Sequence, residues 1–61
     1  MKVVVYFKEG GVETFRCSIV QACDFRDLSV MRLHKVAVLR HRKGQTHFDW
    51  SDIQSITIEG L

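Results

Sequence analysis

No run of apolar residues in this chain approaches the roughly 20 that a helix needs to cross a bilayer. The opening stretch from Met1 to Lys8 is too short to act as a signal peptide. Both absences favour an intracellular, cytoplasmic protein with no membrane partner. Cysteine is scarce, with only Cys17 and Cys23 present. A reducing compartment would keep them as thiols, and a single bridge would be a thin basis for a secreted scaffold. There is no glycine-rich phosphate loop, no nucleophile elbow, no His-Glu-x-x-His helix and no closely spaced cysteine pair. A catalytic site needs groups positioned from behind inside a pocket, and a chain of 61 residues uses its interior for packing. The expectation is a non-catalytic protein without a cofactor.

The sequence also lacks linkers, low-complexity stretches and internal repeats, so residues 1–61 read as one small domain with one core. At this length apolar burial and ordering entropy nearly cancel. Stability is expected to be marginal or shared with a partner. The charge is modest: nine basic and seven acidic side chains, mostly interspersed, give a net +2. That balance falls short of a chain built around a polyanion.

What is present is β-branched and aromatic. Val3 to Lys8 combines three valines with Tyr6 and Phe7 and suits a strand. Glu9-Gly10-Gly11 then supplies a turn into a second run from Val12, which makes a hairpin. In that run Phe15, Cys17 and Ile19 alternate with Thr14, Arg16 and Ser18, the period of a half-buried strand reaching about Ile19. Residues 18–27 admit two readings. Ser18 and Gln21 have the spacing of a capping box that opens a helix, while Ile19, Gln21, Cys23 and Phe25 continue the alternation. The strand is preferred, with Asp24 to Asp27 as its turn.

Leu28 to Arg42 reads as one long strand whose parity slips, with a bulge or bend near His34-Lys35. A helix from Val30 to Leu39 capped by Ser29 is the weaker alternative because of its β-branched content. The polar turn from Arg40 to Gln45 leads into Thr46 to Trp50, where Phe48 and Trp50 share one face, giving a second hairpin. Ser51 to Gln54 reads as a tight helical turn, and Ser55 to Glu59 as a last strand with Ile56 and Ile58 inward. These elements predict an all-β, mainly antiparallel fold: a five-stranded, strongly bent sheet or SH3-like or Sm-like small barrel, with room for one short helix or helical turn.

Two functional readings follow. The leading one is an interaction module that docks another protein onto a β surface or strand edge. Its markers are Tyr6, Trp50 if that ring is exposed, and the Val3 to Phe7 run if it forms an open edge that pairs with a partner or a second copy. The alternative is a nucleic-acid-binding small barrel. Arg40, Arg42 and Lys43 form the one dense basic cluster, Arg16 and Arg32 can extend it, and Tyr6 can stack on a base. Asp49 and Asp52, close behind in sequence, weigh against that alternative. Cys17, Cys23, His41 and His47 match the stoichiometry of tetrahedral zinc, yet five residues separate the cysteines, against about two to four in zinc knuckles. Both thiols are expected inward as small hydrophobes, so no metal site is assigned. His34 reads as a solvated corner residue.

Overall fold

A computed structural model describes residues 1–31 and 35–60 of the chain. The order is β1 (Lys2–Phe7), β2 (Val12–Arg16), α1 (Ile19–Met31), β3 (Val36–His41), β4 (Gly44–Asp49), a 3-10 turn (Trp50–Asp52) and β5 (Ile53–Glu59).

β1 and β2 form the expected hairpin, with Tyr6 opposite Val12 and Lys2 opposite Arg16. Gly10 closes it at φ +101°, a backbone conformation that a Cβ disfavours. β5 pairs with the other side of β1, so that β1 is the middle strand of a three-stranded antiparallel sheet ordered β2-β1-β5. β3 and β4 form a separate antiparallel pair joined through Arg42 and Lys43, with His41 opposite Gly44. The 3-10 turn falls where a helical turn is expected. Asp49 caps it by accepting from the Ser51 N–H at 3.0 Å and the Ser51 hydroxyl at 2.8 Å.

Four expectations are corrected. The strands divide between two sheets and close into neither a barrel nor a single five-stranded sheet. β2 stops at Arg16, and residues 19–31 are helical. The physical reason is local: the Gln21 N–H donates to Ser18 Oγ at 3.1 Å while the Ser18 N–H donates to Gln21 Oε1 at 2.9 Å. This reciprocal capping box satisfies two otherwise orphaned amides. Ala22 and Phe25, three apart, then face the core, whereas Ile19 is 55% exposed instead of inward. Thirdly, the long strand over Leu28 to Arg42 is replaced by the end of α1 and by β3; most of the bend expected near His34 lies outside the described residues. Lastly, Val3 to Phe7 is no open edge, because β1 is paired on both sides.

The core lies between the two sheets and under α1. Val3 and Val5 from β1, Cys17, Ala22 and Phe25, Ala37 and Leu39 from β3, Phe48, Trp50 and Ile53 make one buried cluster, with Phe7, Phe15, Ile56 and Ile58 packed against it. Phe48 is its aromatic hub, with ring centroids 5.8 Å from Phe7, 5.6 Å from Phe15 and 6.2 Å from Phe25. Trp50 stacks on Phe25 at 5.8 Å. Such offset and edge-on pairs add to plain area burial. Among the described residues no helix is long and apolar enough to cross a membrane.

Candidate functional site

Backbone hydrogen bonds bring the starts and ends of several strands to one end of the molecule. The Arg42 N–H donates to the Arg16 carbonyl at 3.0 Å, tying the β3–β4 turn to the end of β2. The Cys17 N–H donates to the Met1 carbonyl at 3.1 Å, tying that same point to the start of β1. Because Lys2 lies directly opposite Arg16 on the paired strands, four exposed cations, Lys2, Arg16, Arg42 and Lys43, gather there. Among the described residues, one carboxylate, Glu59, lies across from Lys2 on β5 and lines this end. No ion pair within 4.0 Å engages any of the four cations among the described residues.

Two adjoining hollows mark this end. The larger, about 470 Å³, is lined by Thr14, Phe15, Arg16, His41, Arg42 and Lys43. The smaller, about 130 Å³, is lined by Met1, Lys2, Arg16, Arg42, Glu59 and Gly60. Arg16 and Arg42 line both.

The larger hollow has an aromatic floor. The Phe15 and His41 rings lie 4.9 Å apart between centroids, at an interplanar angle of 38°. Both nitrogens of His41 are engaged: Nε2 lies 2.8 Å from Thr46 Oγ1, and Nδ1 accepts the Lys43 N–H at 3.3 Å. An accepting Nδ1 assigns the proton of the neutral ring to Nε2, which then donates to Thr46. Burial pushes the Cys17 thiol above its ordinary value of 9.0, against the opposing pull of the N-terminal ammonium, a hydrogen bond with the Val3 backbone and the Arg42 charge.

The structure sorts the residues anticipated from sequence. Arg16, Arg42 and Lys43 come together. Arg40 does not join them: it lines an open cleft of about 540 Å³ between α1 and the outer face of the β3–β4 pair, among Asp24, Asp27, Leu28, Gln45 and His47. Strand alternation gives Arg40 the face of β3 opposite His41, while Arg42 and Lys43 lie past the end of the strand, in the turn. Arg32 and His34 lie outside the described residues. Tyr6 is half-buried at the far end of β1 from Lys2, away from the basic cluster. Trp50 is only 8% exposed and belongs to the core, so its ring does not mark a surface. Of the two thiols, Cys17 is buried and Cys23, on α1, is half-buried; both are free. The fold gathers no three of Cys17, Cys23, His41 and His47, nor any other group of three metal-ligating side chains among the described residues.

Sequence reasoning missed Lys2 and the Phe15–His41 pair. The signal for Lys2 was present, since a hairpin turning through Glu9 and Gly10 sets residue 2 opposite residue 16. His41 carried no such signal, because its contact with Phe15 joins two different sheets.

The fold also relocates the acids that weighed against a phosphate-binding role. Asp49 ends β4 opposite Val36, and the Asp52 carbonyl accepts the Lys8 N–H at 3.0 Å. Both therefore sit at the other end of the molecule. Six residues of extended chain separate Asp49 from Lys43, roughly 20 Å, more than two screening lengths of about 8 Å at physiological salt. Comparison with protein-family models, with curated proteins and with solved structures finds no match to this chain.

Proposed function

We propose that this chain is a non-catalytic binding module that holds a phosphate-bearing nucleic-acid strand at its basic end. The observation that carries this reading is the bond between Arg42 and Arg16, which places Lys2, Arg16, Arg42 and Lys43 around two joined hollows. Cations at a solvated surface displace counterions from a phosphate backbone without having to be buried, so a small domain can bind this way. The test is fluorescence anisotropy with a labelled oligonucleotide of about twelve residues across a salt series. Four engaged cations predict a log–log slope of about −3, a loss of about 50-fold between 50 and 200 mM salt. Arg16→Ala, Arg42→Ala and Lys43→Ala should each reduce the slope by about 0.7, whereas Lys8→Ala and Lys35→Ala should leave it unchanged. Binding that is absent or indifferent to salt refutes the reading.

A second reading, a protein partner added through a strand edge, is favoured by β5. It has β1 on one side only and ends its sheet. It is seven residues long and Glu59 is its one charged side chain. Ile56 and Ile58 are only partly covered. Such an edge can pair with a partner strand or with a second copy of the chain. Sedimentation from micromolar to millimolar concentration, with hydrogen exchange at β5 amides, tests the self-pairing form. A monomer throughout, with unprotected outward amides on β5, counts against it.

A further inference from the structure

Resting on the basic-end reading above, we infer that the larger hollow selects single-stranded over duplex nucleic acid by stacking an unpaired base on the Phe15–His41 pair. The argument begins with shape. At about 470 Å³ the hollow falls within the roughly 300–1,000 Å³ of sites that take small-molecule-sized groups. Two rings 4.9 Å apart line it, beside Arg16, Arg42 and Lys43. Aromatic surface flanked by cations is what a flexible strand needs: the cations follow the phosphates and a ring takes the base face. In a duplex the base faces are already stacked on one another and present only edges and backbone. A duplex would engage the cations and leave the rings unused.

The hydrogen bonds of His41 sharpen the inference. With Nε2 held by Thr46 and Nδ1 by the Lys43 N–H, the ring is fixed in place and neither nitrogen is left to read a base edge. Recognition by His41 is then stacking alone, which every base can supply. The hollow should therefore choose by strandedness far more than by sequence. The Lys43 bond also joins the stacking ring to the phosphate-contacting turn, so that ring and cations keep one spacing.

The experiment compares a labelled single strand, a duplex with the same number of phosphates, and polyglutamate, at fixed salt and across a salt series. The single strand should bind about tenfold tighter than the duplex, and mixed-sequence strands should differ little among themselves. His41→Ala should remove the preference while the salt slope stays close to the parent's, because that slope is set by the Lys and Arg side chains that meet the phosphates. His41→Phe, which retains an aromatic face, should keep most of the preference. Ring protons of His41 should move upfield on titration with the single strand. Equal affinity for single strand and duplex, with a normal salt slope, overturns this inference and leaves the basic-end reading standing. An unchanged preference in a folded His41→Ala variant overturns it too. Polyglutamate binding as tightly as the single strand overturns it in favour of an acidic protein partner. Salt-dependent binding to none of the three overturns both this inference and the reading beneath it.

Discussion

Ser18 and Gln21 each hold the other's main-chain amide, through Gln21 Oε1 at 2.9 Å and Ser18 Oγ at 3.1 Å, and with this pair of bonds the chain leaves its first hairpin and enters α1. Each bond satisfies a donor that a helix start would otherwise leave to water. Ser18→Ala should cost about 1 kcal/mol and Gln21→Ala somewhat less, read from urea unfolding midpoints. Ser18→Asp should hold close to the parent, because aspartate caps as well as serine and favours the positive end of the helix dipole. An Ala variant as stable as the parent would show that packing of Ala22 and Phe25 alone sets the helix start.

Phe48 touches the rings of Phe7, Phe15 and Phe25 and so joins the three-stranded sheet to the β3–β4 pair and to α1. Truncating a buried phenylalanine to alanine costs about 3–5 kcal/mol, and a chain of this length has roughly 3–9 kcal/mol in total. Phe48→Ala should accordingly be largely unfolded at 25 °C, with Phe48→Leu folded but weakened. Near-ultraviolet circular dichroism and the emission maximum of Trp50, blue-shifted while its ring is buried, report both outcomes.

Cys17 and Cys23 should react at very different rates. Cys17 is 1% exposed and its thiol is pushed above 9.0 by burial, which lowers both access and thiolate fraction. A disulfide reagent added to the native protein should titrate Cys23 first and Cys17 only as the molecule opens. The same shift has a stability consequence. A folded value raised above the unfolded one contributes stability that is complete below the unfolded value and is lost as pH rises through the folded value. Above about pH 9 the parent should lose stability faster than Cys17→Ala, a difference that thermal melts in alkaline buffers would detect.

Asp49 carries the opposite sign. The Ser51 amide and the Ser51 hydroxyl, both donating to its carboxylate, hold it below its ordinary value of 3.8. Its contribution is present above the unfolded value and is lost as pH falls through the folded one. Asn at this position keeps an acceptor and removes the charge. The gap in melting temperature between the parent and Asp49→Asn should be open near pH 6 and close toward about pH 2.

Much of the strand content was legible because alternation is a local property. The turn at Glu9 to Gly11, the inward pairs Phe48 with Trp50 and Ile56 with Ile58, and the tight turn after Asp49 all follow from residues adjacent in sequence. The helix was harder to see because its exposed surface is also apolar. Ile19, Val20 and Val30 are 55%, 68% and 79% exposed, so the contrast between faces that marks a surface helix is absent. The capping box was visible, but its evidence competed with an alternation of Ile19, Gln21, Cys23 and Phe25 that has no counterpart in the fold.

From the sequence alone came local commitments: the turns after Phe7, His41 and Asp49, the alternation within the strands, and the basic character of Arg42 and Lys43, whereas the turn expected at Asp24 to Asp27 falls inside α1. Tertiary structure alone decided which of these meet. Pairing β1 with β5 converted the most apolar run from an edge into a centre and left β5 at the rim. One bond across the sheets set Arg42 beside Arg16, while the length of β4 carried Asp49 away from both. Contacts of that kind depend on the path of the whole backbone, since residues distant in sequence become neighbours only once a common core has drawn their strands together.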